Sequence, residues 1–128
     1  MSGIHRINLS TAWCPPPEGI PPGPWIRRFG RPDRIEPGDS IWLVIESPVG
    51  CTVRLNGVGL GVVPPRGTGR HDVTGLLEVR NELALAPALP MLPKANLPER
   101  LERCTLPAEI GFVRLEIGSA PVIPHESP

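Results

Sequence analysis

Side chains that could carry out acid–base, nucleophilic or metal chemistry are few and widely spaced in this 128-residue sequence. Its three histidines have no obvious carboxylate partner, and no serine lies in a Gly-x-Ser-x-Gly setting. The three cysteines, Cys14, Cys51 and Cys104, form no Cys-x-x-Cys pair, which favours buried free thiols over a zinc site. We therefore expect no catalytic residue, no bound metal and no cofactor.

Two carboxylates need separate attention because hydrolysis of a glycosidic bond uses a converging pair. Glu46 and Glu116 end or interrupt strand-like segments, and both side chains could face outward. The sequence leaves their convergence open, but 128 residues are few for an enzyme of this kind.

The stretch VRLNGVGLGVV at positions 53–63 contains three glycines and raises the question of a phosphate-binding loop. Such a loop would need a helix that starts with Lys-Ser/Thr after the glycines, and Pro64-Pro65 follows instead. Asn56-Gly57 between two alternating apolar runs is typical of a β-hairpin with a type I′ turn. The glycines therefore indicate a hairpin.

Composition and charge exclude some classes of protein. Thirteen Lys and Arg residues balance thirteen Asp and Glu residues, whereas a nucleic-acid-binding protein normally has a basic excess. The sequence shows no signal peptide and no apolar run long enough to span a membrane. We expect a single cytoplasmic domain over residues 1–128 that binds neither nucleic acid nor membrane.

Alternating apolar segments predict strands at positions 4–10, 25–31, 35–47, 51–56, 58–62, 82–87 and 112–117. The run Ile41 to Ile45 predicts a central strand buried on both faces, and Val58, Leu60 and Val62 should share one face. Helix is expected only as short turns at 72–77, capped by Asp72 or Thr74, and at 97–104. Seven or eight short strands indicate an all-β protein, an antiparallel β-sandwich.

Seven short motifs follow one another in a fixed order between residues 28 and 85. They are Phe29; Pro37-Gly38; Ile41 to Glu46; Val53-Arg54-Leu55-Asn56-Gly57; Leu60-Gly61; His71-Asp72-Val73-Thr74 with Leu76-Leu77; and Asn81-Glu82-Leu83. This order closely resembles the N-terminal sugar-binding domain of family 2 glycoside hydrolases, a jelly-roll sandwich of the galactose-binding-like type. The segment 110–117 is similar to the closing strand of that domain.

The sequence departs from the family in two places and lacks its catalytic part. The family usually has Phe where this sequence has His71, and its segment before that position is often longer than VVPPRGTGR. The family's catalytic acid and nucleophile lie in a separate barrel domain that is absent from this sequence. We therefore expect no hydrolysis.

The resemblance implies a ligand site of the kind that sugar-binding sandwiches use, with an aromatic face beside planar polar groups. Trp25 is the candidate stacking residue, Arg66 and Arg70 on the loop after Pro65 are candidate donors, and His71 is a further candidate ligand. Trp25 has an alternative role as a loop anchor that packs on the sandwich. The other strand aromatics are expected in the core; they are Phe29, Trp42 and Phe112.

Two functional hypotheses follow, and an enzyme of unknown type is a third. The first is a non-catalytic binding module with carbohydrate as its ligand class. The second is a protein-interaction or assembly module that keeps the fold without sugar binding, with the proline-rich segment 87–98 as a docking surface. An exposed Trp25 beside Arg66 and Arg70 favours sugar, whereas a flat apolar patch or a paired edge strand favours a protein partner.

Overall fold

The computed structural model describes residues 4–16, 24–33, 35–87 and 105–119. Within these ranges the chain forms β-strands without helix, so the described part has no helix that could cross a membrane. The strands are β1 (His5–Asn8), β2 (Trp13–Cys14), β3 (Trp25–Gly30), β4 (Asp39–Ser47), β5 (Cys51–Leu55), β6 (Val58–Val63), β7 (Gly67–Asp72), β8 (Arg80–Pro87) and β9 (Phe112–Ser119).

The strands form two antiparallel sheets that pack face to face. One sheet has the order β1-β9-β4-β7 and the other has the order β2-β3-β8-β5-β6. A single cluster of buried apolar side chains lies between them and includes Trp13 and Trp25. The prediction of an all-β antiparallel sandwich is therefore confirmed.

Strand alternation decides which side chains of the four-stranded sheet face the core. On β4, Ile41, Leu43 and Ile45 belong to the core cluster, and on β9 the core residues are Val113, Leu115 and Ile117. The intervening residues point to the opposite face because successive side chains of a strand alternate; they are Trp42, Val44, Glu46, Phe112, Arg114 and Glu116. Val44 is also fully buried, which confirms that the apolar run of β4 is covered on both faces.

The hairpin between β5 and β6 has the predicted turn but not the predicted alternation. Asn56 and Gly57 have φ angles of 52° and 82°, as a type I′ turn requires. The pairing then shifts register between Val53 and Arg54, which inserts an extra residue into β6. As a result Val63 is buried while Val62 is 68% exposed, so the predicted common face of β6 is wrong.

The sequence predicts a loop where β7 lies, because GTGRHD lacks an apolar alternation. Strand β7 nevertheless pairs with β4 along its whole length, from Gly67 opposite Ser47 to Asp72 opposite Trp42. Gly69 makes this packing possible, since a Cβ there would lie 2.7 Å from Val63 Cγ2 and 3.1 Å from His71 Nε2.

The segment after β7 forms hydrogen-bonded turns instead of a helical turn. Thr74 donates through its backbone N–H (3.0 Å) and its hydroxyl (2.6 Å) to Asp72 Oδ1. The Thr74 hydroxyl also accepts the Ile41 N–H at 2.9 Å, so this motif fixes the end of β7 against β4. The short turn predicted at 97–104 lies outside the described residues, as do Cys104, His125 and most of the proline-rich segment.

Two asparagines, which we call the amide pair, join the turn at 73–77 to the five-stranded sheet. Asn81 Oδ1 accepts from Asn56 Nδ2 (2.9 Å) and from the Glu78 N–H (2.8 Å), and Asn81 Nδ2 donates to the Glu78 and Phe29 carbonyls. Asn56 donates to the Leu76 carbonyl and accepts the Glu82 N–H. Both amides are thereby satisfied, which a buried polar group requires.

Replacing Asn81 should therefore destabilise the fold strongly. In Asn81→Ala, the carbonyl and amide groups around a side chain that is only 3% exposed lose their partners, and we expect a loss of about 3 kcal/mol. Urea denaturation followed by circular dichroism measures the change. Asn8→Ala, at an exposed asparagine of β1, is the matched control; an equal effect of the two substitutions would contradict the structural role of the amide pair.

Candidate functional site

The outward face of the four-stranded sheet concentrates charge and aromatic surface, and we call it the charged face. It is formed by β1, β9, β4 and β7, whose outward side chains include Arg6, Trp42, Val44, Glu46, Arg70, Phe112, Arg114 and Glu116. The pairing register places Val44 directly opposite Arg70 on one side and Arg114 on the other. Arg70 crosses β4 at Val44 to reach Glu116, and Arg114 lies beside Val44 and reaches Glu46, so their stems can cover it.

Glu116 is the centre of the charged face. Its carboxylate accepts from Arg114 Nε at 2.8 Å and from Arg70 Nη2 at 3.0 Å, and Arg6 Nε lies 3.6 Å away. The residue is 5% exposed, and the hydrogen bond from Arg114 lowers the pKa of its carboxyl even though burial acts in the opposite direction. Glu116 is thus held ionised by guanidinium groups from three strands.

Arg114 connects Glu116 to a second carboxylate. Its Nη1 lies 2.8 Å from Glu46 Oε2, and hydrogen bonds to Glu46 and Glu116 raise the pKa of the guanidinium. The two carboxylates therefore do converge, but on Arg114. A general acid needs a proton at working pH, and the lowered pKa of Glu116 opposes that role.

Trp42 was expected in the core and instead lies on the charged face. The Arg70 guanidinium carbon sits 5.7 Å from the centroid of its ring, a cation–π contact. The indole Nε1 is buried and has no hydrogen-bond partner. Arg70 thus contacts both the Trp42 ring and Glu116 across β4.

Phe112 was also expected in the core and is 52% exposed. It lies opposite Glu46 and two residues before Arg114 on the same face. Gly111 (φ 150°) brings the chain so close to β4 that a Cβ would overlap the Glu46 carbonyl oxygen, and Ser47 Oγ donates to the Ile110 carbonyl at 2.6 Å. These contacts fix Phe112 beside the Glu46–Arg114 pair. Phe29, by contrast, packs against the core as expected.

The structure does not bring the four predicted site residues together. Trp25 is 1% exposed and packs in the core, which fits the role of an anchor that packs on the sandwich and not that of a stacking surface. Arg66 lies in the exposed turn between β6 and β7, with φ 58°. Arg70 and His71 are neighbours on β7 and therefore point to opposite faces, and only Arg70 belongs to the charged face.

His71 points toward the interior side of β7, where the family usually has Phe. Burial lowers the pKa of its imidazole, and Nε2 is enclosed without a hydrogen-bond partner. The ring lies near Gly61 and Gly69, whose missing side chains leave room for it. This position suits a neutral packing residue more than a ligand-binding one.

The cysteines behave differently from one another. Cys51 is buried and free, and burial raises the pKa of its thiol. Cys14 is free but only half-buried, so the prediction of buried thiols is wrong for that residue. Among the described residues, no group of three or more His, Cys, Asp or Glu side chains is placed to hold a metal ion.

Sequence reasoning missed Phe112 and Trp42 although the signal was present. The alternation of Val113, Leu115 and Ile117 assigns Phe112 to the opposite face, and the alternation of Ile41 and Leu43 does the same for Trp42.

Comparison with known proteins gives no match to any protein-family model and no match to any curated protein. Solved structures do match in fold. An FMN-binding β-glucuronidase from Facaelibacterium prausnitzii L2-6 superimposes with a TM-score of 0.61 at 16% identity over 89% of this chain and 22% of the enzyme. A β-glucuronidase from Bifidobacterium dentium, complexed with coumarin-3-O-glucuronide, gives 0.57 at 17% identity over 93% of this chain and 30% of the enzyme.

A rhamnosidase from Novosphingobium sp. PP1Y gives a TM-score of 0.52 at 19% identity over 91% of this chain and 15% of the enzyme. The chain therefore spans between 15% and 30% of the length of these three glycoside hydrolases. It has the sandwich fold that occurs within such enzymes, as the resemblance of its motifs predicts.

Glu116 should contribute stability that depends on pH. Its folded pKa lies below the ordinary value of 4.5, so its stabilising effect is present above pH 4.5 and is lost as the pH falls through the folded pKa. We expect Glu116→Gln to lower the free energy of unfolding by about 1–2 kcal/mol at pH 7 and by less in acid. Urea denaturation of both proteins, repeated from pH 7 down to acid pH, tests this expectation.

The matched control for Glu116 is Glu82→Gln, which breaks an exposed ion pair with Arg28. That substitution should cost no more than about 0.5 kcal/mol and should not reproduce the pH profile. Equal costs for the two substitutions at pH 7 would show that Glu116 is an ordinary surface carboxylate.

His71 should make the fold less stable in mild acid. Because the pKa of the folded imidazole is below 6.5, the unfolded chain takes up this proton first, and stability falls as the pH drops below 6.5. In His71→Phe, the thermal melting temperature should therefore fall less as the pH drops below 6.5. His5→Gln, at an exposed histidine, should leave it in place. An unchanged pH profile in His71→Phe would refute the assignment.

Proposed function

We propose that this chain is a non-catalytic carbohydrate-binding module whose ligand binds on the charged face, stacked on Phe112. One observation carries the proposal: an aromatic ring that is 52% exposed lies beside a carboxylate and a guanidinium that are held together at 2.8 Å. An apolar surface next to a few fixed polar groups is the usual composition of a small-molecule site.

The chemistry of these three side chains fits a sugar. The C–H face of a pyranose packs on an aromatic ring, and its neighbouring hydroxyls can donate to Glu46 while accepting from Arg114. Because the ion pair already orders both polar side chains, ligand binding would cost little of their rotamer entropy. Arg70, whose side chain is 49% exposed, would extend the polar surface beyond the first sugar.

The fold neighbours support the ligand class by analogy. Two are named β-glucuronidase and one is named rhamnosidase, so sandwiches of this fold occur in enzymes that act on sugars. Non-catalytic binding is favoured because Glu46 and Glu116 both pair with Arg114 and the pKa of Glu116 is lowered.

The protein-interaction alternative has its own supporting observation. Strand β6, at the edge of the five-stranded sheet, carries Val58 and Val62 at 45% and 68% exposure. Exposed valines on an edge strand are suited to contact with another protein.

A glycan array followed by calorimetry tests the proposed function. Phe112→Ala should weaken binding about tenfold or more, because it removes the stacking surface. Val79→Ala, at a valine that is 80% exposed and outside the charged face, is the matched control and should bind normally. Undiminished binding by Phe112→Ala would place the site elsewhere. No binding across the panel by the folded protein would favour the protein-interaction function.

A further inference from the structure

The edges of the two sheets differ in how well they are protected against strand addition. Natural sheets protect exposed edges with charged residues, proline or very short strands. Strand β1 carries His5 and Arg6, β7 carries Arg70 and Asp72, and β2 has only two residues. Strand β6 has six residues, VGLGVV, with no charge and no proline, and its one irregularity is the inserted residue opposite Val53 and Arg54. It is the least protected edge among the described strands.

The shape of β6 makes it complementary to itself. If two copies pair antiparallel over the whole strand, Val62 of one copy lies opposite Gly59 of the other. Both residues point to the outer face of the five-stranded sheet, since they pair with Thr52 and Arg54, which flank the core residue Val53. A Cβ at Gly59 would meet nothing within 4 Å, so there is space for the valine of the second copy.

The same register also matches the inner face. Val58 lies opposite Val63 of the second copy, and both face the core side of the sheet. The extra residue near the middle of β6 shifts the rest of the strand by one position, so that paired residues of the two copies point to the same face. No charged side chain of either strand faces another, so the pairing meets no like-charge repulsion.

We propose that β6 pairs with β6 of a second copy of this chain across a twofold axis, which joins the two five-stranded sheets. This pairing buries Val58 and Val62 and gives hydrogen-bond partners to the backbone groups at the outer edge of β6. The charged face of each copy stays exposed, since it belongs to the other sheet. Pro64-Pro65 limits the pairing to the six residues of the strand.

Sedimentation analysis over a broad range of protein concentration tests the dimer. Wild type should self-associate, and Val62→Lys should weaken association by about tenfold or more, because each interface gains two unpaired charges. Val79→Lys, the same change at an exposed valine away from β6, should associate like wild type. A chain that stays monomeric at every concentration overturns the proposal and leaves this edge for a different protein. A dimer that Val62→Lys does not weaken overturns it as well.

The register has its own test, which does not depend on the lysine variant. Mixing Gly59→Cys protein with Val62→Cys protein under oxidising conditions should yield a disulfide between the two introduced positions, detected by peptide mass. Wild-type protein under the same oxidising conditions is the control for disulfides that the native cysteines form. Cross-linking that is no greater than in this control contradicts the pairing of Gly59 with Val62.

Discussion

The amide pair of Asn56 and Asn81 is the constraint on which the rest of the structure depends. Its hydrogen bonds join the β5–β6 turn, the end of β3, the start of β8 and the turn after β7. That turn contains Thr74, which accepts the Ile41 N–H and so fixes β7 against β4. The position of Arg70 over β4 follows from this alignment. The amide pair of one sheet is thus connected, through this turn, to the β4–β7 pairing that places Arg70 on the outer face of the other.

The charged face shows how a sheet can bury charge on its outer side. Arg70 and Arg114 flank Val44 and converge on Glu116, whose carboxylate is nearly inaccessible to water yet fully paired. Such a network is costly to break and orders the side chains that take part in it. Phe112 lies at its margin, where the pairing of Glu46 with Arg114 leaves about half of the Glu46 side chain accessible. At this margin the side chains are both ordered by the ion pair and accessible to a ligand.

The sequence predicted those features that depend on neighbouring residues. The type I′ turn, the alternating strands β5, β8 and β9, and the doubly buried β4 all follow from local pattern. Strand β7 was missed because it lacks an apolar alternation and because Gly69 is explained only by Val63 and His71, which pack against it. The burial of Trp25 and the partners of Glu116 depend on strands distant in sequence: Arg70 and Glu116 are 46 residues apart. Parity alone could have placed Phe112 and Trp42 outside the core, but it does not reveal which outward residues are paired.

The proposed carbohydrate site on the charged face depends on Phe112. Backbone amide NMR of the folded chain, titrated with a panel of monosaccharides that includes glucuronic acid and rhamnose, tests it most directly. We expect saturable shift changes at residues of β4 and β9 around Phe112, Glu46 and Arg114, with the five-stranded sheet unaffected. Shift changes confined to the five-stranded sheet or to the 64–67 turn, or none with any sugar, would contradict it.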